Sequence, residues 1–509
     1  MAASTLTSTW VHDSLAASDL SIGLAAFGYE PGATIQHRRT LLDTFDGRLF
    51  AAGISLEHVE QTNPAGPALL RLTTADGVPA ALQVRRAPRF ASDLPPGPFR
   101  ERLTDPLEMR ATIPLATWSD TQVELVGRDG RGNVIVRAKV HASDATGRPA
   151  IVEVTPSPGR DDAADELVAT IRALGGHRSE HGLIDLMSAT LGVNRRGYDS
   201  SPDVELAHDI AALDGFRLVF ANLATTIDSN LAGTIDDIDT EFLHEFRVAI
   251  RRTRSVLGLG KNVLTDSGRE QARADFAWLA GVTGPLRDLD VYILDWDHSV
   301  GHLATDRADQ LRPVLLHLQQ HRRAAWKQLA ADLRSPRTQR LLGDWTAGIS
   351  DLEPGPDADR PLREIAAKRI AKAHTMVLAN GRAIDSASPA EALHDLRKDA
   401  KKLRYAVECF GGLLPAKRRK AFVRQLKDLQ DNLGRHQDAE VHSAELQVVA
   451  RELSAEQATP PTLLALGQLI EHLEIEKIAA RSEFAERFAT FDSNQTECIV
   501  TDLLESLEP

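Results

Sequence analysis

A chain of 509 residues with a formal net charge of -13 is too long for one ordinary core and too acidic to coat nucleic acid without a concentrated basic field. Its 42% hydrophobic and 26% charged residues exclude wholesale disorder, and no apolar run is long enough to cross a bilayer. Two cysteines, Cys409 and Cys498, build neither a disulfide framework nor a thiolate metal site, so a cytoplasmic location is expected. The opening "MAASTLTSTWVHDSLAASDL" lacks a basic start followed by an apolar core and does not read as a secretory signal.

From about residue 34 to 155 the pattern is short and alternating, in "ATIQHRRTLLDT", "ALLRLTT", "AALQVRRA", "DTQVELVGRDGRGNVIVRAKVHA" and "AIVEVTP". These runs predict strands, with a hairpin turn at Gly127 to Asn133 and a proline-rich loop in "ASDLPPGPFRERLTDP". "DDAADELVATIRALGG" then predicts a helix ending at a glycine. Helical periods continue from there to the end. The expected class is α+β multidomain: an antiparallel, barrel-like β domain over 1–200 with a closing helix and linker, then an all-α domain over 205–509.

The helical part repeats itself. "HEFRVAIRRTR" from His244 aligns with "HDLRKDAKKLR" from His394, a shift of 394 - 244 = 150. His244, Arg247, Arg251, Arg252 and Arg254 meet His394, Arg397, Lys401, Lys402 and Arg404, with Lys398 beside them. "LAGVTGPLRDLDV" and "LQDNLGRHQDAEV" keep the same shift, pairing Gly284 with Gly434 and Asp288 with Asp438. Two blocks at one offset point to a duplicated unit, about 205–350 and 360–509.

At about 100° per residue, His244, Arg247, Arg251 and Arg254 fall within a quarter-turn, as do His394, Arg397, Lys401 and Arg404. Glu245 and Asp399 are too few to balance these stripes; the acids of "RDLD" and "QDAE" could pair with them across the fold. More cations follow: Lys417, Lys420, Arg424 and Lys427 share one helical face, and "REIAAKRIAKAH" adds Arg363, Lys368, Arg369 and Lys372. Guanidinium forks and mobile ammonium groups suit phosphate oxygens. Aromatic residues to stack bases are nearly absent from the stripes, which argues against single-stranded nucleic acid. Arginines around each histidine disfavour a divalent cation there, so neither metal nor cofactor is expected. Histidines facing phosphate would make binding weaken as pH rises through neutrality.

Two copies of H-x2-R-x3-[RK]-[RK]-x-R, each followed by a glycine and aspartate-bearing helix start, resemble the CHAD family, the conserved histidine α-helical domain. The resemblance implies two pseudo-twofold-related helical bundles around a basic cavity that binds inorganic polyphosphate, with the repeated basic residues as contacts and polyphosphate granules as a location. "RRTLLDTFDGRLFAAGISLEH" resembles the early strands of the CYTH family, the triphosphate tunnel fold, with Arg85, Arg137 and Lys139 as lumen candidates. That family's E-x-E-x-K strand is missing here, and a later acidic strand is reduced to Glu153. The expectation is therefore a binding protein, with a metal-dependent triphosphatase or polyphosphatase as the alternative.

Overall fold

The computed structural model describes residues 7–13, 15–74, 79–143, 149–199, 204–454 and 456–508. The chain separates into two compact units, Met1–Asp199 and Ser200–Pro509.

The first unit is built on nine strands: β1 Ser8–His12, β2 Glu30–Asp43, β3 Ile54–Asn63, β4 Leu69–Thr74, β5 Pro79–Gln83, β6 Ile113–Arg128, β7 Val134–Ser143, β8 Ala150–Pro156 and β9 His177–Ser179. They pair antiparallel in the order β5-β4-β3-β2-β6-β7-β8-β1-β9. Among the described residues this order is open at β5 and β9, so the hydrogen bonding does not close the expected barrel.

Alternation along the strands gives the sheet two unlike faces. On one, Leu125, Val136, Ala138, Val152 and Val154 pack under the helices Ala17–Ala26 and Asp161–Ala173. Leu56, Leu70 and Leu72 pack on Leu103 and Leu107 of the helix Pro98–Leu107. That helix replaces the loop expected around the prolines: Pro98 opens it, where no amide hydrogen is required, and its apolar pair one turn apart finds the sheet. The turn after β6 matches the expectation, with Asp129 accepting from the Arg131 and Asn133 amides and Gly132 at φ 82°.

In the second unit eleven helices matter: α1 Ala212–Ile235, α2 Thr240–Leu259, α3 Asp266–Val282, α4 Gly284–Leu294, α5 Arg312–Arg334, α6 Pro336–Gly348, α7 Leu362–Arg382, α8 Ala390–Cys409, α9 Ala416–Glu452, α10 Pro460–Phe491 and α11 Asn494–Glu505. The motif helices are α2 and α8. α2 starts where the Asp239 carboxylate accepts from the Glu241 and Phe242 amides, and buries Phe246, Ile250 and Leu257. α8 buries Leu396, Leu403 and Ala406. These side chains belong to one continuous core, so the two copies stabilise each other.

The copies differ at their second block. Pro285 cannot donate to the previous turn, and the first copy breaks between α3 and α4 at Thr283. Arg435 stands at the equivalent place, and α9 runs through Gly434 without interruption. The helix start expected at Gly434 is thus a mid-helix position.

Candidate functional site

α2 and α8 pack against each other, which brings the two basic stripes together. Lys401 on α8 records this: burial first, then the cations of Arg397, Arg251 and Arg404, pushes its ammonium down to about 8. Arg251 belongs to the first copy, so the field is made by both.

Beside this seam lies a cavity of about 760 Å³ bounded by α2, α3, α7 and α8. Its cations are Arg251, Arg254, Arg273, Arg369, Lys372, Lys398, Lys401 and Lys402, against the acids Glu270 and Asp399. Lys402 meets Asp399 at 2.8 Å, Lys398 meets Asp395 at 3.0 Å, and Arg273 meets Glu270 at 3.3 Å. Among the described residues Arg251, Arg254, Arg369, Lys372 and Lys401 form no ion pair with a carboxylate, and Arg369 donates to the Lys261 carbonyl at 2.6 Å. Such an excess of unneutralised donors around one space suits an anion with many oxygens. Tyr405, the cavity's one aromatic residue, is 4% exposed and offers no platform for a base.

The remaining motif residues have other partners. Arg252 donates to Glu408 Oε2 at 3.1 Å, and Arg404 reaches Glu408 Oε1 at 3.4 Å. Arg247 donates to Thr283 Oγ1 at 2.7 Å and to the Ala280 carbonyl at 3.2 Å, and burial pushes it down to about 10. Arg397 meets Asp438 at 3.3 Å. A Cβ on Gly284 would stand 3.8 Å from the Arg247 guanidinium, and one on Gly434 3.5 Å from that of Arg397, so the repeated glycines lie under the repeated arginines. Asp290, the other acid of "RDLD", goes elsewhere, to Arg322 at 2.6 Å.

His244 is half-buried on α2, and His394 is exposed on α8; neither lines the cavity. Lys417, Lys420, Arg424 and Lys427 are exposed on α9, also outside it. Arg273 joins the cavity from a part of α3 outside the aligned blocks, and Glu408 sits one turn beyond Arg404, just past the aligned block.

The second face of the first unit's sheet is polar and buried. Arg39, 1% exposed, donates to Asp120 at 2.7 Å and to Glu57 at 3.4 Å. His141 bridges Asp120 at 2.9 Å and Glu153 at 3.0 Å. Burial raises Asp120, but its bonds to His141 and Arg39 prevail and leave it at about 2. Lys139 faces the same side, opposite Glu153 on β8, whereas Arg137 is exposed beside Glu124 and Arg85 lies past the end of β5. Glu57 and Asp120 were not singled out in the sequence; each is one acid in an alternating strand, and only the sheet order brings them to Glu153.

A family model described as CHAD domain matches residues 219–447, a span that takes in both motif helices. The solved CHAD domain of the plant Ricinus communis is 26% identical over 56% of this chain and 95% of that one, with a TM-score of 0.47. PptA from Streptomyces chartreusis is 21% identical over 55% of this chain and 100% of its own, with a TM-score of 0.43. An adenylyl cyclase-like protein from Hippeastrum, described as having a dominant triphosphatase activity, is 13% identical over 36% of this chain and 95% of its own, with a TM-score of 0.29. No curated protein sequence matches the chain. Among the described residues no helix is long and apolar enough to cross a membrane.

Proposed function

We propose, from the match of residues 219–447 to the CHAD domain model, that the protein binds inorganic polyphosphate in the cavity between α2, α3, α7 and α8. The observation that carries this reading is the cavity's charge: eight cations against two acids, five of the cations with no carboxylate partner among the described residues. A linear chain of phosphates offers each of them an oxygen without requiring base stacking, and successive contacts add by effective concentration. In a cell that stores polyphosphate this binding would bring the protein to its granules, in the cytoplasm.

The test is a titration of the full chain with long-chain polyphosphate at several salt concentrations, with RNA and orthophosphate as competitors. Tight, salt-sensitive binding that resists both competitors is expected. Equal competition by RNA of equal charge, or no saturable binding, overturns the reading.

The meeting of Glu57, Asp120 and Glu153 favours a second reading, a metal-dependent triphosphatase in the first unit. Against it, Arg39 and His141 already hold these carboxylates. Orthophosphate release from tripolyphosphate with Mg²⁺ or Mn²⁺, abolished by Glu153→Gln, would establish it.

A further inference from the structure

The sequence "HLQQH" places His317 and His321 four residues apart, on one face of α5. Their rings lie side by side with centroids 4.1 Å apart. Opposite them is Glu452, the last residue of α9, with Oε2 at 3.2 Å from His317 Nε2 and 3.8 Å from His321 Nδ1. One nitrogen from each ring and one carboxylate oxygen all lie within 4.8 Å of one another. Among the described residues Glu452 pairs with no lysine or arginine, in contrast to the arginine-crowded motif histidines.

The geometry points to a transition-metal site, of the class that takes Zn²⁺, made by His317, His321 and Glu452. Two imidazoles and a carboxylate are a ligand set that this ion accepts, with water or another group in the fourth position. Bonds of about 2.0–2.1 Å place tetrahedral ligands roughly 3.3 Å apart. The 3.2 Å edge from His317 to Glu452 already fits, and the 3.8 Å edge needs a small movement. His317 is nearly buried and sets the position, whereas His321, 48% exposed, is able to swing inward. The C-terminus of α9, where Glu452 stands, adds the negative end of a helix dipole. A bound ion would fasten α5 of the first copy to α9 of the second at a place unrelated to the polyanion cavity.

The experiment is calorimetric titration of the chelator-treated full chain with Zn²⁺, repeated with Co²⁺ while the visible absorption of tetrahedral cobalt is followed. One saturable equivalent is expected, weakened at least about tenfold by His321→Ala and by Glu452→Gln, as loss of a direct ligand should exceed loss of its outer partners. Both side chains are about half exposed, so both variants should keep the native circular dichroism. Absence of a saturable equivalent, or unchanged affinity in both folded variants, overturns the proposal.

Discussion

Arg252 and Arg404, one from each copy of the motif, are held by the same carboxylate: Glu408 takes Arg252 at 3.1 Å and Arg404 at 3.4 Å. The clamp joins the copies and withholds two guanidinium groups from any ligand. Glu408→Gln is expected to lower stability by about 2 kcal/mol, because a partly buried charge-assisted pair is lost. It should also raise polyphosphate affinity by freeing two cations beside the cavity. Urea unfolding and a binding titration on one preparation check both; a fall in affinity would mean that the clamp positions the arginines for binding.

Lys401 predicts a pH dependence. Burial and neighbouring cations disfavour its charged form, so its value of about 8 lies below the usual 10.5. Between these values the unfolded chain binds more protons than the folded one, and the stability of the free protein should rise with pH. A polyanion reverses the local field and draws a proton onto Lys401. Affinity should therefore fall as pH rises above about 8, with proton uptake visible in buffers of different ionisation enthalpy. Lys401→Arg should flatten this profile. A loss of affinity through neutrality instead would return His244 and His394 to the site.

The cavity and the exposed face of α9 make different predictions. Removing Arg251 and Arg254 together should weaken polyphosphate binding by about tenfold or more, since a charge-assisted contact of the half-buried Arg251 contributes about 1.5–3 kcal/mol and the exposed Arg254 adds less. Removing Lys420 and Lys427 should change it by about twofold and only at low salt, as for a screened surface charge. Equal effects would place the ligand along α9.

In the first unit, Asp120 should govern acid stability. Its value of about 2 lies below the usual 3.8, so its contribution is present above pH 4 and is lost as pH falls toward 2. His141 is raised above the usual 6.5, chiefly by its bonds to Asp120 and Glu153, which outweigh burial. Its contribution is present below 6.5 and is lost as pH rises through its folded value. Asp120→Asn leaves Arg39 with a weakened partner in a buried place and should cost about 3–5 kcal/mol, measurable by urea unfolding at pH 5.

The stripes were legible because helical spacing alone puts Arg251 and Arg254, or Arg397 and Lys401, on one side of a helix. The antiparallel strands and the change to helix followed in the same way from period and punctuation. Long-range geometry was not legible. Glu408 reads as an ordinary acid until α2 and α8 pack, and Glu57 and Asp120 gain meaning only from a sheet order that sets β3 and β6 on either side of β2. Pro98–Leu107 was hidden by its prolines, although Leu103 and Leu107 carried the one-turn spacing that buries it. The "HLQQH" spacing was visible, but its third member lies 452 - 317 = 135 residues away.

The clamp also has a cost during synthesis. Arg252 and Glu408 are 156 residues apart, so a ribosome adding about 5–20 residues per second leaves Arg252 without that carboxylate for roughly 8 to 30 s. Through that interval the Arg252 guanidinium has neither this carboxylate nor the α8 side chains of the shared core beside it. Completion of the second copy supplies both that carboxylate and the α7 and α8 walls of the cavity.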